Sequence, residues 1–256
     1  MSPPASLHPK STARSGSDQE ALYGSSYFDE QLHRQHWFHN NAAKRELRWK
    51  EIVRMLKPDA RDRILEIGCA TGEHSLRLAK LVREVVGVDL AATAIARARE
   101  RAETEGAGNV RFVVLDAAHL SGIEDATFDK AAAIDFVEHI DDATLLSVLR
   151  ETRRVLRPRG LLAIFTPCAS HYVERMKLHN FVLHQTPGHI AVRDEGQYRN
   201  LLPQAGFDIE SLYFSPSTYP FARWLDRWLW KTPLTGPLFR FRLCIVAVPA
   251  KSDNQK

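Results

Sequence analysis

Ile64-Leu65-Glu66-Ile67-Gly68-Cys69-Ala70-Thr71-Gly72 is the stretch that decides the fold. Strand-compatible residues run straight into Gly68, where the backbone must turn sharply, and a helical pattern begins directly after Gly72. Gly72 lets that helix start close to whatever lies in the turn. A turn at the carboxyl end of a first strand is where open α/β sheets receive their ligands.

The residues downstream repeat the unit. Val85-Val86-Gly87-Val88-Asp89 is a second apolar strand, and its acid falls about twenty residues after the turn, the spacing at which a carboxylate can reach ribose hydroxyls. Val110 to Leu115 is a third strand with Asp116 at its end. Phe128 to Ile134 is a fourth, closing on Asp135, Glu138 and His139. Leu161 to Thr166 is a fifth, preceded by Leu156-Arg157-Pro158-Arg159-Gly160, and Phe207 to Phe214 and Leu243 to Val248 read as two more. Between them the spacing predicts helices over His74 to Leu81, Ala91 to Glu105, Ala143 to Leu156 and Gly196 to Ala205. This alternation predicts an α/β sheet, mostly parallel, with helices on both faces.

A dinucleotide-binding dehydrogenase would carry Gly-x-Gly-x-x-Gly at the first turn. This chain has Gly68-x-x-x-Gly72, with Glu66 two residues before the first glycine. A carboxylate there would repel a pyrophosphate and attract a cation.

Taken together, LEIGCATG, VVGVD, FVVLDA, FDKAAAIDFVEHI and LRPRGLLAIFTP resemble the class I S-adenosylmethionine-dependent methyltransferases, over roughly residues 45 to 215. The pair Glu138-His139 is similar to the one at this station in small-molecule and ubiquinone-pathway O-methyltransferases. The resemblance implies a Rossmann-like seven-stranded sheet whose last strand is antiparallel to its neighbour. It implies S-adenosylmethionine as cofactor, held by Glu66, Gly68, Cys69, Gly72, Asp89, Leu90, Asp116, Ala117 and Asp135. In that reading the backbone at Gly68, Cys69 and Gly72 passes over the methionine part, and Glu66 supports either the turn or the ammonium. Asp89, with Leu90 beside it, takes the ribose hydroxyls. Asp116 and Ala117 meet the adenine edge, and Asp135 lies near the transferred methyl. Each acid could instead simply cap the helix that follows its strand. One departure is Ala70, where many relatives have a third glycine; alanine is harmless there unless the position needs positive φ.

The cofactor carries its own activated methyl, so the protein must align donor and acceptor and take up a proton where the acceptor requires it. His139 and Glu138 are the candidate catalytic residues. His139 can act as a general base on a hydroxyl. The pair can also anchor its loop through hydrogen bonds, or join Asp135 in holding a divalent ion, although no standard metal motif is present. His189, Tyr27 and Trp37 are the candidate substrate contacts.

The chain has 256 residues and a formal net charge of +4, with no cluster of cations and aromatics that would argue for nucleic acid. Cys69, Cys168 and Cys244 form no paired motif, which fits a reducing cytoplasm. Residues 1–20 read as a polar, disordered tail, 21–250 as one domain opening with a helical segment, and 251–256 as a second tail. Two connections, 168–194 and 215–241, are longer than the sheet needs and are read as functional insertions. The second holds an amphipathic helix in 221–231 that could act as a lid, pack on the core, or lie on a membrane surface or lipid-like substrate. The expected activity is methyl transfer to a small-molecule hydroxyl. Transfer to nitrogen or carbon, or cofactor binding without catalysis, is the alternative. The oligomeric state is not legible.

Overall fold

The computed structural model describes residues 42–178, 188–217, 220–233 and 235–251. Helix α1 (Ala42–Leu56) leads into β1 (Arg63–Ile67), α2 (Glu73–Ala79), β2 (Glu84–Asp89), α3 (Ala92–Thr104), β3 (Val110–Val114) and β4 (Phe128–Ile134). A 3-10 turn at Val137–His139 precedes α4 (Asp142–Val155), β5 (Leu156–Pro167), α5 (Tyr172–Leu178), α6 (Glu195–Gln204) and β6 (Phe207–Ser215). Helix α7 (Pro220–Leu229), a 3-10 turn at Gly236–Phe239 and β7 (Arg242–Pro249) complete the chain.

The seven strands form one sheet in the order β3-β2-β1-β4-β5-β7-β6. The first five run parallel, and β7 lies antiparallel between β5 and β6. Strand β1 pairs with β2 on one side and β4 on the other, so the winding reverses between β1 and β4. A crevice at the carboxyl ends of these strands is the binding position such a sheet creates.

Strand residues alternate between two cores. Leu65, Ile67, Val86, Val88, Ala131, Ala133, Leu162 and Ile164 pack on Leu145, Val148 and Leu149 of α4 and Tyr198, Leu201 and Leu202 of α6. Ile64, Val85, Ala132 and Ala163 pack on the opposite face against Ile52, Met55 and Leu56 of α1, Leu76 of α2 and Ile95 and Ala98 of α3. Continuous apolar strands are the signature of a parallel sheet covered on both sides.

Several boundaries differ from the sequence expectation. Strand β5 begins at Leu156, where a helix end and turn were expected, because Phe128 pairs with Leu156 before the register shifts to Lys130 with Leu161. Pro158 is tolerated at that irregularity, where no ladder donor is required. Helix α6 starts under a reciprocal cap between Asp194 and Gln197. The helical segment expected to open the 21–250 domain is described only over Ala42–Leu56. Tyr27, Trp37 and the 1–20 tail lie outside the described residues. Among the described residues no helix is long and apolar enough to cross a membrane.

Candidate active site

The turn after β1 is held from below. The amides of Gly68 and Cys69 both donate to the Val88 carbonyl, at 2.9 and 3.0 Å. The Ala70 amide donates to Asp89 Oδ2 at 2.9 Å, and the Ala91 amide donates to Oδ1 at 2.9 Å. Asp89 therefore clamps the first turn to the second. Gly68 and Gly72 take φ of 68° and 75°, and Ala70 takes 46°. Position 70 thus does need the left-handed conformation, and alanine adopts it under load. Gly72 also makes room for a neighbour, since a Cβ there would meet Phe112 Cζ at 2.5 Å. Cys69 is buried, and burial pushes its thiol pKa well up, so the residue contributes backbone and bulk.

Glu66 shares a sheet face with Ile64, beneath α2. Its carboxyl is buried and accepts the Ser75 hydroxyl. Burial raises its pKa to about 8. Of the two roles expected for Glu66, supporting the turn is the one this bond serves.

Asp89, Leu90, Asp116 and Ala117 follow at the tips of β2 and β3, joined by the Leu115 amide donating to the Asp89 carbonyl at 3.0 Å. Leu90 is 37 % exposed and Ala117 is buried. The Asp116 side chain is 51 % exposed, with Oδ1 accepting the Ala118 amide at 2.8 Å, so it caps its own turn and still faces the rim. Burial raises the Asp89 carboxyl above its ordinary pKa, against the pull of its two amide bonds.

Asp135, at the tip of β4, takes φ of 50°. Its carboxylate lies between Arg242 of β7 and Arg48 of α1, the latter at 3.0 Å. Burial alone would raise its pKa, but the charges of Arg242 and Arg48 outweigh that and hold it at about 2. His74 joins this cluster, its pKa lowered to about 4, first by burial and then by Arg48. The sequence reading missed Arg48 and Arg242, since single arginines on a helix and at a strand start look like solvated charges.

The turn beyond β4 carries Glu138 and His139. The Glu138 carbonyl accepts the amides of Ile190 and Ala191 at 3.0 and 3.1 Å. Its carboxyl is 1 % exposed and accepts the Thr166 hydroxyl at 3.1 Å. Burial, then the Asp135 charge, pushes it to about 8. His139 Nδ1 lies 3.0 Å from the Gly188 carbonyl. A carbonyl only accepts, so Nδ1 carries the proton and Nε2 the lone pair. Burial lowers the pKa of His139 and takes that of His189 down to about 3. The two rings meet edge-on with centroids 5.0 Å apart. Donor atoms of Glu138, His139 and His189 lie within 4.8 Å of one another. The ion site that the sequence left open as an alternative contained Asp135 in place of His189, and Asp135 is paired with Arg48 and Arg242.

Arg193 is a positioning residue that the sequence reading overlooked. Its side chain is buried and donates to the carbonyls of Val137 and Ile140 at 2.7 Å, to Ala191 at 3.1 Å and to Asp142 at 2.7 Å. It therefore pins both ends of the turn that bears His139.

An open sheet whose strand tips set acids around a glycine turn is an α/β domain with its ligand crevice at that edge. A family profile described as a methyltransferase domain matches residues 64–160. The 27-O-demethylrifamycin SV methyltransferase of Amycolatopsis mediterranei is 34 % identical over 140 residues, 53 % of this chain and 50 % of that one. A 23S rRNA (uracil(1939)-C(5))-methyltransferase of Stenotrophomonas maltophilia is 41 % identical over 76 residues, 30 % of this chain and 17 % of that one. The chain thus spans half or less of the length of these curated relatives. The S-adenosylmethionine-dependent methyltransferase of Methanosarcina mazei shares the fold with a TM-score of 0.59 at 23 % identity, covering 78 % of this chain and 97 % of that one. Residues 64–160 thus match a methyltransferase domain, on the α/β fold that S-adenosylmethionine-dependent methyltransferases share.

Proposed function

We propose that this chain transfers the methyl group of S-adenosylmethionine to a hydroxyl of a small molecule, with His139 as the general base. The observation that carries the reading is the 3.0 Å contact between His139 Nδ1 and the Gly188 carbonyl, which sets the tautomer with its basic lone pair on Nε2, the form a general base requires. Lowered basicity keeps that imidazole neutral near pH 7.

The residues fit the cofactor's chemistry. Asp89 spends one lone pair of each oxygen on the turn and keeps others for the two ribose hydroxyls. Asp116, Ala117 and Leu90 line the rim for the adenine. The turn at Gly68 offers main chain without side-chain bulk, under the Phe136 ring. Arg48 and Arg242 outnumber Asp135, so the cluster can meet an amino-acid carboxylate and ammonium together. The cofactor, when bound, supplies the electrophilic methyl; the protein aligns it and removes the acceptor's proton. Glu138 and Arg193 hold the His139 turn, and His189 borders the acceptor side.

A small hydroxylated acceptor is supported by the Amycolatopsis relative, named for an O-demethylated rifamycin. Incubation with S-adenosylmethionine and a panel of phenolic and alcoholic acceptors should yield S-adenosylhomocysteine and an O-methylated product. A product methylated on nitrogen or carbon refutes the hydroxyl. Cofactor binding with no turnover on any panel makes the chain a binding protein.

A further inference from the structure

The insertion 215–241 presents a face that the sheet and crevice do not use. Helix α7 exposes Trp224 and Trp228, one turn apart, at 60 % and 70 %. Indole rings of that size are rarely left in water without a partner. The opposite face of the helix is fixed. Asp226 is 1 % exposed; its Oδ2 accepts the Ser217 amide at 2.9 Å, and its Oδ1 lies 3.7 Å from Nε2 of the equally buried His171. His171 in turn packs against Phe241 with ring centroids 5.0 Å apart. The first insertion therefore holds the second so that its tryptophans point outward.

The charge pattern says what they meet. Residues 215–241 contain four basic residues and a single acid, Asp226; Arg240 is paired with Glu195 at 3.1 Å, so the cations considered for the surface are Arg223, Arg227 and Lys231. That acid is the one turned inward, so its charge is withheld from the surface. The segment also holds three of the chain's five tryptophans. Lys231 is exposed, its ammonium 5.4 Å from the Trp230 ring. Tryptophan flanked by cations on a short amphipathic helix is the composition that settles at the headgroup level of an anionic bilayer.

We propose that α7 docks this chain on anionic phospholipid surfaces, with Trp224 and Trp228 entering the interface and the neighbouring cations meeting the lipid charge. The proposal is independent of the methyl-acceptor assignment.

The test is co-sedimentation of the full chain with phosphatidylcholine vesicles, with and without phosphatidylglycerol, alongside the double variant Trp224→Ser, Trp228→Ser. Both residues are exposed, so unchanged melting establishes that the variant is folded. The expected result is binding to the anionic vesicles alone, weakening with salt, with a blue shift in tryptophan emission. The double variant should bind about ten-fold less or worse. Absence of binding, or equal binding by the variant, overturns the proposal. So does a dimer that the variant disrupts without any vesicle binding, since a second copy would then cover the face. Strong protection of Trp224 and Trp228 from acrylamide in the lipid-free chain overturns it as well, because residues 1–41 would then be the occupant.

Discussion

Asp89 and Ala70, nineteen residues apart in sequence, meet through a 2.9 Å hydrogen bond from the Ala70 amide to Asp89 Oδ2. The carboxylate does for this turn what a bound phosphate does in many glycine-rich loops: it takes up an inward-facing backbone N–H. One contact thus fixes the turn and still leaves further lone pairs on the acid for hydroxyl donors.

Ala70 pays for that contact with φ of 46°. A left-handed alanine costs about 1–2 kcal/mol, offset in a glycine replacement by about 0.5–1 kcal/mol of added chain entropy. Ala70→Gly is expected to stabilise the fold by about 0.5–1 kcal/mol in urea unfolding, with cofactor affinity kept. A destabilised variant would mean that the alanine methyl packs usefully.

Glu66 gives stability a defined pH dependence. Its carboxyl is raised to about 8 in the fold against an ordinary 4.5, so between those values the folded state holds a proton that the unfolded state has released. Its contribution is complete below pH 4.5 and is lost as pH rises to 8. Glu66→Gln keeps the shape without the titration. Its melting temperature should gain on the parent's steadily between pH 5 and pH 8. A constant difference between the two proteins would contradict the buried, protonated acid.

His139 carries the kinetic prediction. Burial lowers its pKa from the ordinary 6.5, so the rising limb of kcat/KM against pH should have its midpoint below that value. His139→Ala should lower kcat by about a hundred-fold or more and flatten the limb, while cofactor affinity is retained. Chelators should have no effect. Full activity in the variant would leave His139 as an anchor, and loss with chelator would point to an ion among Glu138, His139 and His189.

Arg193 holds three backbone carbonyls in a site with 1 % exposure. Its replacement by alanine strands those acceptors and should cost about 3 kcal/mol, read as a lower midpoint in denaturant. Arg193→Lys cannot reproduce the fork and should recover only part of it. A loss under about 0.5 kcal/mol would show that water replaces the guanidinium without penalty.

The strands were legible because a buried parallel sheet needs continuous apolar runs, and each of Gly68, Asp89, Asp116 and Asp135 follows such a run directly. Their common edge then follows from parallel pairing. What joins the tips was not legible. Arg48 and Arg242 reach Asp135 from opposite ends of the chain, and nothing in either local segment announces the meeting. Arg193 follows Ile190-Ala191-Val192 and reads as an isolated charge until its carbonyl partners are seen. A second demand on Gly72 was hidden for the same reason: Phe112, forty residues on, occupies the space its missing side chain leaves.

The central claim is that the strand tips form one site for S-adenosylmethionine with Asp89 at its centre. Titration calorimetry of the cofactor into the full chain and into Asp89→Ala tests this directly. The expected result is one site of micromolar affinity, weakened about ten-fold or more in a variant that still unfolds cooperatively. No heat of binding in the parent, or equal affinity in a folded variant, would contradict the account.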